Sequence, residues 1–179
     1  MTDTKFVVTG GPGSGKSTLI NELSGRGIAT MPEAGRSIIR HQTSIGGNAL
    51  PWANQKAYAG LMLSWDLRSY HEAARYARPV VFDRGLPDCI GYLKLIGQPV
   101  PSQFERAANQ FRYNRHVFLA PFWEEIFSQD AERKQSPDEA KATSDVMVET
   151  YTALGYQLID LPRVSPQERA DFVLNYLSE

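Results

Sequence analysis

The sequence predicts an α/β fold of three layers, with a doubly wound, five-stranded parallel sheet between two layers of helices. The main observation is that short apolar runs alternate along the chain with stretches of helical periodicity. Most of these runs are continuously apolar, which is typical of parallel strands covered on both faces. Right-handed crossovers between such strands build a sheet with helices on both sides.

Five apolar runs are candidate strands, and each is short enough to cross a small domain once. The first runs directly into a glycine-rich loop, and the third ends in an acidic and a basic residue. The predicted strands are Lys5–Thr9, Ile28–Met31, Pro79–Asp83, His116–Ala120 and Tyr156–Leu161.

Helices are predicted from their end signals. Serine followed three residues later by glutamate, the capping-box pattern, occurs at 102, 136 and 165. It predicts helices over 102–113 and 137–154 and another from 166, with Gly155 ending the second. The longest helix is predicted over 51–77, before Pro79. We expect a single domain over 1–179 with a short lid around 122–136.

Composition bounds the possible partners. The chain has 179 residues, 42% of them apolar, and a formal net charge of −1, which does not indicate nucleic acid or anionic membrane as a partner. Cys89 is the single cysteine, which excludes an internal disulfide and fits a reducing compartment. Without a leader or an apolar run of membrane-spanning length, the sequence predicts a cytoplasmic protein and leaves its oligomeric state open.

The segment 10–17, GGPGSGKS, satisfies the phosphate-loop (Walker A) pattern G-x-x-x-x-G-K-[ST] in full. A strand precedes it and a helix follows it, and the backbone N–H groups of such a loop surround phosphate. Lys16 is expected to reach the β- and γ-phosphates of ATP, and Ser17 to ligate Mg²⁺. The predicted nucleotide-binding residues are Gly11, Gly13, Ser14, Gly15, Lys16, Ser17 and Thr18.

Several classes of protein contain such a loop. A Ras-like GTPase carries an N-K-x-D motif, which is absent from this sequence. The LSGRG at 23–27 lies too close to the loop to be the signature of an ABC-type ATPase. A AAA-type motor needs a second helical domain, for which 179 residues leave little room. Small-molecule kinases remain.

Acidic residues follow the second and third predicted strands, at the edge of the sheet where ligands bind. Asp83 is expected to hold Mg²⁺, and the adjacent Arg84 to clamp a phosphoryl group. Glu33 is placed to take a proton from an acceptor hydroxyl, or alternatively to favour the N-terminus of the next helix. Arg36 is expected to contact an anionic group of the acceptor or to pair with Glu33.

Two further regions complete the predicted site. In the lid, Arg133 is the first candidate to cover the nucleotide and Lys134 the second, although a solvated charged loop is an equal alternative. On the acceptor side we expect Trp52, with Asp88 and an amide, to suit a planar ring. Core positions are the expectation for the aromatic residues Tyr58 and Trp65.

The motifs GGPGSGKST, MPEAGR, VVFDRG and ERKQ together resemble the AAA_28-type family of small P-loop NTPases. The chain is more distantly similar to deoxynucleoside kinases, thymidylate kinase and the ribosylnicotinamide kinase group. This resemblance implies that Glu33 is the catalytic base, that Asp83 and Arg84 match an acidic-Arg pair, and that Gln55 reads the acceptor. Gly85 departs from the Ser or Tyr that usually follows the Arg.

The sequence therefore predicts an ATP-dependent kinase that phosphorylates a small molecule such as a nucleoside, a nucleotide or a related metabolite. The catalytic candidates are Lys16, Glu33, Asp83, Arg84 and Arg133. The alternative is a nucleotide-dependent switch or ATPase that acts on a protein or lipid partner. Some relatives are expected to be regulatory nucleotide binders.

Overall fold

A computed structural model describes residues 4–127 and 135–177 of the chain. Five parallel strands form one sheet in the order β2-β3-β1-β4-β5, which confirms the predicted fold class. Each predicted strand lies within two residues of an observed one. The strands are β1 (Lys5–Gly10), β2 (Ala29–Met31), β3 (Val80–Asp83), β4 (His116–Ala120) and β5 (Gln157–Asp160).

Seven α-helices connect or follow the strands in the described ranges, with single 3₁₀ turns at Ala73–Arg75 and Glu124–Ile126. They are α1 (Lys16–Gly25), α2 (Ala34–Ile45), α3 (Gln55–Glu72), α4 (Leu86–Leu95), α5 (Ser102–Gln110), α6 (Pro137–Ala153) and α7 (Pro166–Leu177). None of the helices within 4–127 and 135–177 combines the length and apolarity that crossing a membrane requires.

The core has two halves because successive side chains of a strand point to opposite faces. Val7 belongs to the cluster beneath α3, α4, α5 and α6, whereas its neighbours Phe6 and Val8 belong to the cluster beneath α1 and α7. Val81 and Val117 alternate with their neighbours in the same way. The sheet is therefore covered on both faces, as its continuously apolar strands predicted.

Helix ends follow the capping signals at two of the three serines. Ser136 and Ser165 each exchange hydrogen bonds with the glutamate three residues later. The capping box predicted at Ser102 is wrong, because Pro101 holds the N-cap position and Ser102 is already helical. The longest helix begins later than the predicted residue 51, since the Asn54 side chain accepts from the Ala57 N–H at 3.1 Å and caps it there.

Candidate functional site

The strand order brings three loops to one edge of the sheet. β2, β3 and β1 are neighbours, with Met31 opposite Phe82 and Asp83 opposite Val8. All three strands run in the same direction, so the loops that follow them meet at their carboxyl ends. The phosphate loop follows β1, Glu33 lies two residues after β2, and Asp83 ends β3.

The phosphate loop is held closely by its surroundings. Gly15 is the N-cap of α1 and adopts the left-handed conformation, with φ 83°. A side chain at Gly11 would bring its Cβ to 2.3 Å from the Ala140 carbonyl oxygen in α6. Glycine at 11 therefore allows α6 to approach the loop closely.

Lys16 begins α1 and is buried beneath the loop. Its ammonium donates to the Gly11 carbonyl oxygen at 2.5 Å and to Ser14 Oγ at 3.3 Å. Ser14 in turn donates to the same carbonyl at 2.7 Å. The hydroxyl residues Ser17 and Thr18 follow and are exposed. The loop thus presents two hydroxyl side chains to solvent above a buried cation.

A cavity of about 440 Å³, the P-loop cavity, opens over this loop. Of the predicted nucleotide-binding residues, Gly13, Gly15, Lys16, Ser17 and Thr18 line it, whereas Gly11 and Ser14 lie beneath. Its opposite wall contains Trp123, Ile126 and the start of α7. This cavity has the size of a small-molecule site.

Sequence reasoning missed Arg169, which joins the phosphate loop to α7. Its Nη1 donates to the Ser14 carbonyl oxygen at 2.9 Å and its Nε to the Pro162 carbonyl oxygen at 2.8 Å. The guanidinium also lies over the Trp123 ring, 5.2 Å from its centroid. Burial lowers the pKa of Arg169. No motif in the sequence signals this contact, because it spans 155 positions of the chain.

A second cavity of about 450 Å³, the helical cavity, lies between α3, α4, α6 and the start of α2. The predicted acceptor residues Trp52, Gln55 and Asp88 all line it, with Trp52 64% exposed. Arg36 instead lines the P-loop cavity. Glu33 lines both cavities, so it stands at their junction.

Two arginines hold the Glu33 carboxylate, which is buried as the N-cap residue of α2. Arg84 Nε lies 3.3 Å from Oε1, and Arg36 Nε lies 3.6 Å from Oε2. Each oxygen of the carboxylate therefore has one guanidinium nitrogen within ion-pair range. The ion pair is one of the two alternatives predicted for Arg36, and its contact with an anionic group of the acceptor stays a prediction.

Arg84 is the one described non-glycine residue with a positive φ, 70°. Such a conformation costs about 1–3 kcal/mol and persists only where surrounding contacts enforce it. Here the Arg84 N–H donates to the Val8 carbonyl oxygen at 2.9 Å, and Nη1 donates to Asp88 Oδ1 at 3.1 Å. Strain of this kind clusters at functional sites.

Asp88 lines the helical cavity, and its carboxylate is the centre of a hydrogen-bond network within the protein. Its Oδ1 accepts from Thr9 Oγ1 at 2.7 Å and from Arg84, and its Oδ2 accepts from the Gly85 N–H at 2.9 Å and from Tyr151 Oη at 2.6 Å. Both oxygens are thus used within the protein. Asp88 orients Arg84 and joins β1, α4 and α6, which fits a positioning role better than contact with an acceptor.

Asp83 is buried at the end of β3 and is not among the residues that line either cavity. Burial raises the pKa of its carboxyl, and the charges of Lys16 and Arg84 oppose that rise. Its Oδ1 is buried without a hydrogen-bond partner among the described residues. A carboxylate oxygen of this kind is a ligand that a hard divalent cation such as Mg²⁺ prefers. Ser17, the other residue predicted to hold Mg²⁺, is exposed and lines the P-loop cavity.

The remaining candidates have separate outcomes. Tyr58 is buried and packs with α2, as expected, and Trp65 lies partly buried against the same cluster. Cys89 is a free, buried cysteine. Arg133 and Lys134 lie outside the described residues, so their proposed place in a lid stays a prediction. Asp66, which no sequence signal indicated, lines the helical cavity.

Comparisons with known proteins agree with this architecture. The family described as AAA_28, AAA domain, matches residues 5–169. No curated protein matches the sequence.

Solved structures share the fold at low sequence identity. Deoxyadenosine kinase from M. mycoides with bound dATP superposes with a TM-score of 0.67 at 13% identity, covering 98% of this chain and 100% of that one. The same enzyme with the products dCMP and a flexible dCDP gives 0.70 at 14%, covering 97% and 98%. Shikimate kinase from Acinetobacter baumannii in complex with shikimate gives 0.56 at 14%, covering 97% and 92%.

Proposed function

The chain belongs to the AAA_28 family of AAA domains, and from this premise we propose that it is a kinase that transfers the γ-phosphoryl group of ATP to a small-molecule acceptor. The observation that carries the proposal is the position of Glu33. This one buried carboxylate lines both the P-loop cavity and the helical cavity, each of about 440–450 Å³. A phosphoryl group can pass from a donor in one cavity to an acceptor in the other only where the two cavities adjoin, and Glu33 lies at that place.

The P-loop cavity is the proposed donor side. The N–H groups of the phosphate loop and the α1 N-terminus would bind the phosphates, and the Lys16 ammonium would exchange its contact with Gly11 for the β- and γ-phosphate oxygens. Ser17 and Asp83 would hold Mg²⁺. When bound, this ion neutralises charge on the phosphate oxygens and orients them.

The helical cavity is the proposed acceptor side. An acceptor hydroxyl beside Glu33 would give its proton to that carboxylate while its oxygen forms a bond to the γ-phosphorus. The bond from the γ-phosphorus to the β–γ bridging oxygen would break, and ADP would leave. Arg84, 3.3 Å from Glu33, would lie beside the transferring group and stabilise its charge.

The ligands bound to the structural neighbours support this division between a donor and an acceptor side. The neighbours are named as kinases, and their ligands dATP, dCMP and shikimate are all small molecules. A cavity of about 450 Å³ lined largely by apolar side chains fits a ligand of that size. It favours a small-molecule acceptor over a protein or lipid partner.

ATP consumption with and without a panel of nucleosides, nucleotides and small hydroxy acids tests the proposal. We expect one class of compound to stimulate consumption about tenfold or more, with a phosphorylated product detected by mass spectrometry. Slow hydrolysis that stays flat across the panel would contradict the kinase and favour a regulatory nucleotide switch. Arg133→Ala, in the proposed lid, is expected to slow transfer with little effect on acceptor binding.

A further inference from the structure

One face of α3 forms a wall of the helical cavity. Gln55, Tyr58, Met62 and Asp66 succeed one another at spacings of three, four and four residues, and all four line the cavity. From the facing helix α4, Cys89 and Tyr92 lie one turn apart and line it too. The cavity therefore continues from Glu33 into the space between two helices.

Asp66 is a buried acid in this wall, and few hydrogen bonds or opposite charges offset the cost of burying its carboxyl. It is only 8% exposed, and its one hydrogen bond among the described residues comes from Cys89 Sγ at 3.3 Å, a weak donor. No basic side chain in the described part of the chain pairs with it. Glu33 and Asp88, by contrast, each have an arginine in ion-pair range.

The surroundings of Asp66 are aromatic and apolar. Tyr58 and Tyr92 meet edge to face, with ring centroids 5.4 Å apart, and Met62 packs nearby. Among the described residues, the buried Tyr92 hydroxyl has no hydrogen-bond partner. Buried polar groups are normally satisfied, so two under-satisfied groups in one ligand-sized cavity indicate a ligand that satisfies them.

We infer that Asp66 is a specificity-determining residue that accepts a hydrogen bond from an exocyclic amino or amidine-like N–H group on a planar ring of the acceptor. The substrate class is then a nitrogen heterocycle that carries an amino or amidine-like group and, at the end nearer Glu33, a hydroxyl. This inference rests on the proposed function, since it names the ligand of the same cavity. A flat ring matches the aromatic walls, and an N–H donor matches the carboxylate.

The ionisation of Asp66 makes this recognition depend on pH. Burial is the main cause that raises the pKa of Asp66, to about 7, although the Cys89 thiol opposes the rise. The carboxylate that accepts N–H is therefore the minor form at pH 6 and the major form at pH 8. No histidine is among the lining residues of the described chain. Besides Asp66, the charged or titratable side chains that line this cavity in the described part of the chain are Glu33, Tyr58, Arg84, Asp88, Cys89, Tyr92 and Glu139.

Calorimetric binding of benzamidine and benzamide, without nucleotide, tests the inference. The two rings have the same shape, and only benzamidine carries the permanent positive charge and the amidine N–H donors. For the parent at pH 8 we expect benzamidine to bind at least about tenfold more tightly. This preference should shrink about tenfold between pH 8 and pH 6, as Asp66 gains its proton. Equal binding of the two compounds, or no binding of benzamidine, would overturn the inference.

Two variants assign the effect to the residue. Asp66→Asn keeps the shape but removes the charge, and it should abolish the benzamidine preference and its pH dependence. Asp145→Asn, an exposed aspartate on α6, should leave both unchanged. A preference that survives in Asp66→Asn would overturn the inference. The pH series on the parent serves as an independent check if Asp66→Asn folds poorly.

Phosphoryl transfer to adenosine against inosine, and to cytidine against uridine, separates this inference from the proposed function. Within each pair only the first carries the amino group. Preferred transfer to the amino members supports both proposals. Transfer to inosine or uridine at equal rates overturns the Asp66 inference and leaves the kinase standing. Benzamidine binding through Asp66 without transfer to any compound overturns the kinase and leaves the recognition site standing.

Discussion

Arg84 Nε lies 3.3 Å from Glu33 Oε1, and this contact joins the loop after β2 to the loop after β3. The same guanidinium binds Asp88 through Nη1 at 3.1 Å. Arg84 thus lies between two carboxylates while its backbone adopts a left-handed conformation. A cation held in this way has a fixed direction before any ligand binds, which is the condition for electrostatic catalysis.

Lys16→Ala should abolish phosphoryl transfer, with a loss of about 10²–10³-fold or more, because no other buried cation of the described loop can reach the β- and γ-phosphates. The measurement is product formation from radiolabelled ATP. Lys141→Ala removes an exposed lysine from α6 and should have no effect. Equal rates for Lys16→Ala and the parent would refute the role of the loop.

Asp88→Asn should destabilise the protein by about 2–5 kcal/mol in chemical denaturation. The amide can accept through one oxygen only, whereas Thr9, Arg84, the Gly85 N–H and Tyr151 all donate to the parent carboxylate. Asp145→Asn is the exposed control. If Asp88→Asn were as stable as the control, the network described for Asp88 would be wrong.

Gly11→Ala should destabilise the protein by about 1–3 kcal/mol, because the new Cβ would lie 2.3 Å from the Ala140 carbonyl oxygen. Gly25→Ala, at the end of α1, meets nothing within 4 Å and should stabilise the protein slightly, by about 0.4–1 kcal/mol. Urea denaturation of the two variants measures this difference in sign. Equal stabilities would mean that α6 does not press on the phosphate loop.

Asp66→Asn should change how stability depends on pH. The pKa of Asp66 is raised in the folded state, to about 7, so the folded protein binds this proton more tightly than the unfolded chain does. The parent therefore loses stability as pH rises from about 4 to about 7, and the asparagine variant does not. Between pH 5 and pH 8, the free energy of unfolding of the variant should increase relative to that of the parent. A constant difference across that range would argue against a perturbed Asp66.

Much of the fold could be predicted from the sequence, because the signals for strands and helix ends are local. Parallel strands reveal themselves by continuous apolar runs, and in a parallel sheet the residue after each strand lies at the ligand edge, as Glu33 and Asp83 do. The capping box predicted at Ser102 is wrong because Pro101 occupies the N-cap position, so the helix begins one residue earlier than the serine pattern indicated.

The parts of the site that the sequence did not reveal depend on contacts between distant residues. Asp88 lines the predicted acceptor side, but the sequence does not reveal that Tyr151, 63 positions away, and Thr9, 79 positions away, donate hydrogen bonds to its oxygens. Asp66 lies within a helix among apolar residues, and only the packing of α3 against α4 makes it a buried acid. Neither property has a signature in the neighbouring sequence.

Glu33→Gln provides the most direct test of the central claim, that one carboxylate serves both cavities. The glutamine keeps the size of the side chain but cannot take a proton, so single-turnover transfer to the stimulating acceptor should fall about 10²-fold or more while ATP affinity stays near that of the parent. Glu22→Gln, on the surface of α1, should behave as the parent. Transfer by Glu33→Gln at the parental rate would contradict the account.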